Sequence, residues 1–207
     1  TQFEKDYVVH TPDFPGHGLV KPQPQYNNYH ALTTWLNDYL NEHQIENYVL
    51  IGYSMGGYIG LSHLIQAPNP ACRLLITIAT KLEWSVGIAS QESSKLTLEN
   101  LQPILGKLAE EHPKIEITTL LKQTQDILTS IGVQPIQAIA LKDNKTPIFM
   151  LLGSKDKMVQ ASEIMAFNKQ GVLLQFEYLE EQPHLLQRMD PSVVVKSIQN
   201  ILKTKIN

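Results

Sequence analysis

Tyr48-Val49-Leu50-Ile51-Gly52-Tyr53-Ser54-Met55-Gly56-Gly57 decides how this chain is read. Its first four residues are a continuous apolar run, which suits a strand buried on both faces, as in a parallel sheet. Beyond Gly57, Tyr58, Ile59, Leu61, Leu64 and Ile65 recur at helical spacing, and Pro68 closes that helix. Between strand and helix lies Gly52-Tyr53-Ser54-Met55-Gly56, the pattern G-x-S-x-G. Alone the pattern arises by chance, but here the chain must turn from strand to helix within a few residues. Such a turn strains the middle residue and carries its side chain to the tip. Ser54 is therefore expected at the C-terminal rim of the sheet, beside a helix N-terminus. The Met55 N–H is expected to face the same space, where it could stabilise an oxyanion. The glycines two before and two after Ser54 are read as room for neighbouring backbone.

Outward from this turn, strand and helix signals alternate. Tyr7 to His10 is β-prone and stops at Pro12; Asp13-Phe14-Pro15-Gly16-His17-Gly18 follows as a loop. Leu32, Trp35, Leu36, Tyr39 and Leu40 form the one-sided stripe of an amphipathic helix. Arg73 to Ala79, Pro147 to Leu152 and Leu173 to Leu179 read as further strands, with a helix over Ala161 to Asn168. Asp190-Pro191 opens a last helix as N-cap and first helical residue, with Val194, Ile198, Ile201 and Leu202 on its apolar face. This alternation predicts an α/β fold with a mainly parallel sheet and helices on both faces. Residues 82–146 break the rhythm. They carry helical patterns and no convincing buried strand, so they read as a helical insertion between two core segments, 1–81 and 147–207.

A serine hydroxyl is a poor nucleophile at neutral pH. It needs a base, and the base needs an orienting carboxylate. On a fold of this kind both follow the serine, the acid first, each after a later strand. Asp156 follows the third strand of the alternation in Gly153-Ser154-Lys155-Asp156, and His184 follows the fourth in Gln182-Pro183-His184-Leu185. His184 is the only histidine after Asp156. Asp143 precedes its strand and is expected at the opposite end of the sheet. His10, His17, His30, His43, His63 and His112 read as structural or exposed. Lys81 and Trp84, just past a strand end, and Tyr53, beside the serine, are candidate walls of a substrate pocket.

Composition excludes other classes. The 207 residues carry a net charge of −3 and are 43% hydrophobic and 18% charged, which argues against a disordered chain and gives no basic surplus for nucleic acid or an anionic membrane. No apolar run approaches the roughly 18 residues needed to span a bilayer. The one cysteine, Cys72, allows no internal disulfide, reads as a small buried apolar residue, and fits a reducing compartment. No metal-ligand cluster or nucleotide-binding glycine pattern is present, so no metal or cofactor is expected.

Together, the Asp13–Gly18 loop, the Ser54 turn, Gly153 to Asp156 and Pro183-His184 resemble the α/β-hydrolase superfamily, in particular its small cytoplasmic single-domain esterases. The resemblance implies Ser54 as nucleophile, Asp156 as acid, His184 as base, and residues 82–146 as the lid such enzymes insert after their sixth strand. It implies a carboxylesterase-like enzyme acting on an ester, thioester, lactone or similar acyl bond, with carbon–carbon bond hydrolysis also open because the same triad serves it in relatives; the apolar character of residues 82–146 points to a small apolar substrate. A ligand receptor or binding module with little turnover is the alternative, since some relatives keep the triad in that role. The family also places three strands ahead of the one at Tyr7 to His10, and a loop that gives a second oxyanion donor. None of these is in the sequence, so the expectation is that about 50 to 70 residues precede Thr1 in the whole protein.

Overall fold

Parallel neighbours cannot be joined by tight hairpins, so helical crossovers join each strand here to the next. The computed structural model describes residues 2–67 and 71–206. Among them, β1 (Tyr48–Tyr53), β2 (Cys72–Ile78), β3 (Ile148–Gly153) and β4 (Leu174–Leu179) form one parallel sheet in the order β1-β2-β3-β4. The helices are α1 (Tyr29–Glu42), α2 (Met55–Gln66), α3 (Val86–Ser94), α4 (Leu98–Leu101), α5 (Leu105–Glu111), α6 (Ile117–Val133), α7 (Ala138–Leu141), α8 (Ala161–Lys169) and α9 (Pro191–Lys205).

Side chains alternate across the sheet as the pleat requires. Leu75, Ile148, Met150, Leu152 and Leu174 face a core shared with Leu32, Leu36 and Leu40 of α1 and Ile59, Leu61 and Leu64 of α2. Leu74, Ile76, Ile78 and Leu151 face the other way, onto Val194, Ile198, Ile201 and Leu202 of α9. Asp190 caps α9, accepting from Ser192 N at 2.8 Å, with Pro191 at the first helical position. These elements lie where their periodicity placed them. The closing role given to Pro68 falls outside the described residues.

Two expectations are corrected. Tyr7 to His10 forms no strand. Its segment instead follows a turn in which Asp6 N and Tyr7 N both donate to Phe3 O at 3.0 Å, and Val8 is 88% exposed. A short β-prone run becomes a strand only where another strand offers its backbone, and among the described residues none does so here. The strand at Tyr48 is not buried on both faces either: among the described residues β1 has one strand partner, β2, and Ile51 is 45% exposed. The helical segment α3–α7 lies between β2 and β3 and shares one core with the sheet, through Leu82, Trp84, Ile127, Ile131 and Leu141. It is tied to the Asp13–Gly18 loop by Gln123, whose Nε2 donates to Pro15 O at 2.8 Å, and by His112, whose Nδ1 accepts from Gly18 N at 2.7 Å. Among the described residues no helix is long and apolar enough to cross a membrane.

Candidate active site

Strand register assembles the site. Tyr53 pairs with Ile78, Ile78 with Leu151, and Gly153 with Leu179, so the four strands end at one rim. Ser54 leaves that rim with φ 48° and ψ −111°, a sparsely populated positive-φ conformation that costs a non-glycine residue on the order of 1–3 kcal/mol. Its surroundings hold it there. Ser54 N donates to Ile78 O at 2.7 Å, and Ser54 O accepts from Tyr58 N at 3.1 Å and from Thr80 Oγ1 at 3.0 Å.

The glycines of the turn differ in role. A Cβ on Gly52 would lie 2.4 Å from Gly57 N, and one on Gly57 would lie 2.1 Å from Thr80 Oγ1. A Cβ on Gly56 would meet nothing within 4 Å. The close approach therefore needs Gly52 and Gly57, not the second glycine of the G-x-S-x-G pattern. Met55 opens α2, so its N–H belongs to the first turn, where donors lack an intrahelical acceptor.

Asp156 and His184 stand after β3 and β4 on the same rim. His184 Nδ1 lies 2.8 Å from Asp156 Oδ2, and His184 Nε2 lies 3.5 Å from Ser54 Oγ. The Asp156 side chain is fully buried, and its Oδ1 accepts from Met158 N at 2.7 Å and Val159 N at 3.1 Å. A carboxylate bound this way only accepts, so Nδ1 carries the proton, and in the neutral imidazole Nε2 then turns its lone pair toward the Ser54 hydroxyl. Ser54, His184 and Asp156 thus lie in one line. Asp143 is exposed and precedes β3, at the other end of the strands.

The three candidate pocket residues have other partners. Tyr53 donates its hydroxyl to His184 O at 3.1 Å and accepts from Leu186 N at 3.3 Å, pinning the loop that carries the imidazole. Burial pushes its phenol up to about 12, so it stays a neutral donor. Lys81 directs its ammonium to Glu163 Oε1 at 2.8 Å and Met158 O at 3.3 Å. Trp84 packs in the core and donates Nε1 to Lys81 O at 3.0 Å. Sequence reading missed Thr80, Glu163 and Gln182. Gln182 is buried; its Oε1 accepts from Asp190 N at 2.6 Å and its backbone oxygen from Lys155 N at 3.0 Å, which frames the His184 loop. The position of Glu163, three residues after the α8 N-cap, was the only local signal for it.

The other histidines serve structure or surface. His63 is buried between the Tyr48 hydroxyl and Asn37 Oδ1, and burial lowers its pKa. His17 is held down to about 4, chiefly by burial and then by His112 beside it. Cys72 is buried and free, its thiol pushed up to about 11 by burial. No cluster of three metal-ligating side chains occurs among the described residues.

A strained serine at a strand–helix turn, with an imidazole and a buried carboxylate on the same parallel sheet edge, defines a class of α/β protein. Residues 2–195 match the alpha/beta hydrolase family model, and the chain belongs to that family. It is 25% identical over 171 residues to 2-succinyl-6-hydroxy-2,4-cyclohexadiene-1-carboxylate synthase of Serratia proteamaculans, covering 72% of this chain and 67% of that one. Among solved structures, NosK from Streptomyces actuosus superposes with a TM-score of 0.78 at 16% identity, covering 100% of this chain and 90% of that one. A thermophilic esterase from Thermogutta terrifontis does so with a TM-score of 0.71 at 18% identity, covering 93% and 78%. These superpositions establish the α/β-hydrolase fold.

Proposed function

We propose that the chain is a serine hydrolase that cleaves a carboxylic ester, thioester or similar acyl bond of a small apolar substrate through an acyl-enzyme. The named relatives do not choose the bond, since one is called a synthase and another an esterase. The observation that carries the reading is the line from Ser54 Oγ through His184 to Asp156 Oδ2. In it His184 Nε2 takes the Ser54 proton as Oγ attacks the carbonyl. Asp156 keeps the imidazole in the Nδ1–H form and stabilises the imidazolium. The oxyanion is stabilised by the Met55 N–H. His184 then returns the proton to the leaving group, and water repeats the sequence to free the acid and Ser54. The 3.5 Å between Oγ and Nε2 is long for a hydrogen bond, as such contacts often are before substrate is bound. The α3–α7 segment, inserted between β2 and β3, acts as the lid.

Ser54→Ala should lower turnover of p-nitrophenyl acetate by roughly 10⁴-fold or more without moving the melting temperature. Retained turnover would remove Ser54 from this role. A fluorophosphonate should label Ser54 in the unmodified protein; no labelling would favour the ligand-binding alternative.

A further inference from the structure

We propose that Glu163 is a positioning residue for this site: it clamps the root of the α3–α7 segment to the loop that carries Asp156, and so holds His184 in its Nδ1–H form. The proposal rests on the hydrolase reading for its consequence, and on the following geometry for its substance.

The Glu163 side chain is 2% exposed, and a carboxylate so buried must have its oxygens bonded. It has four donors: Lys81 Nζ at 2.8 Å, Leu82 N at 2.9 Å, Glu83 N at 2.8 Å and Gln160 N at 3.2 Å. Only the last belongs to its own helix cap. The other three come from the chain just beyond β2, some 80 residues earlier, where the helical segment begins. Helix capping alone would need none of them.

Lys81 extends the clamp to the acid. Its Nζ also donates to Met158 O at 3.3 Å, while Met158 N donates to Asp156 Oδ1 at 2.7 Å. Residue 158 is thus held on its carbonyl side by the Lys81–Glu163 pair and on its amide side by Asp156. Val159 N adds a second bond to the same oxygen at 3.1 Å. Oδ1 is therefore oriented by a loop that the pair itself orients, which leaves Oδ2 aimed at His184 Nδ1 at 2.8 Å. The tautomer of a neutral imidazole follows the acceptor its ring nitrogens find. If the 156–160 loop drifts, Asp156 loses its aim, the proton is free to move to Nε2, and the lone pair facing Ser54 is lost.

The test is Lys81→Met/Glu163→Gln, which removes both charges together and leaves neither buried alone. His184 ring ¹⁵N shifts, with Asp156→Asn as the displaced reference, report its tautomer whether or not the protein turns over an ester. The expected result is a shift of His184 from the Nδ1–H toward the Nε2–H form, with kcat on p-nitrophenyl acetate down roughly tenfold to a hundredfold. A folded double variant with wild-type ¹⁵N shifts and kcat overturns the proposal. If the double variant does not fold, the isosteric Glu163→Gln alone, which keeps a side-chain oxygen for Lys81 Nζ, weakens the clamp and is expected to shift the tautomer the same way; an unchanged tautomer there also overturns it. Failure of fluorophosphonate to label wild-type Ser54 would instead strike the hydrolase reading, and the tautomer comparison would still decide the role of Glu163.

Discussion

At Ser54 a backbone penalty and a chemical opportunity coincide. The positive φ of 48° is held by bonds to Ile78 O of β2 and from Tyr58 N of α2 and Thr80 Oγ1 in the loop after β2. This over-determination lets one unfavourable residue persist at the turn tip. Its partners give graded predictions. Asp156→Asn keeps the shape but offers a donor where an acceptor is needed, so it should lower kcat by roughly 10⁴-fold in an ester assay while leaving the fold intact. Tyr53→Phe removes only the hydroxyl that pins His184 O and Leu186 N. It should cost about 1 kcal/mol in urea unfolding, with a smaller loss of kcat than Asp156→Asn. A kcat for Tyr53→Phe as low as that of Asp156→Asn would mean that Tyr53 touches the reacting atoms.

At the scale of an element, the β1–α2 turn separates the glycine the pattern names from the glycine the packing needs. Gly52→Ala would push a Cβ to 2.4 Å from backbone nitrogen, and should destabilise by roughly 1–3 kcal/mol or more. Gly56→Ala enters open space inside a helix, and should be neutral or stabilise by up to about 1 kcal/mol. Thermal unfolding of the two variants checks the pair, and equal destabilisation would contradict this account. The same turn shows the reach of pattern reading. The apolar stripe of α1 and the cap of α9 were legible because propensity, period and cap chemistry act within a few residues. Whether β1 has a strand on each side was not, because an apolar run looks the same either way. Tyr7 to His10 failed for a related reason: β propensity is realised only against a neighbouring strand.

Across the whole molecule, buried and half-buried histidines couple stability to pH. His17 is held near 4, below its ordinary 6.5, by burial and by His112; burial lowers His63 and His112 as well. The unfolded chain therefore takes up these protons first. Their contribution is fully present above about pH 6.5 and falls as the pH drops toward 4, by as much as about 3 kcal/mol for His17. Urea unfolding at pH 7.5 and 4.5 should show a lower midpoint in acid, and His17→Gln should narrow the difference. An equal difference in both proteins would remove His17 as a source.

The order Ser54, Asp156, His184, the strand–helix alternation and the helical character of residues 82–146 were all written in the sequence. They depend on local spacing and on connection rules that hold for any parallel sheet. The roles of Lys81, Tyr53, Gln182 and Glu163 were decided only by tertiary structure. A long polar side chain takes whichever partner folding brings within about 3 Å, and for Lys81 that partner lies 82 residues away on α8.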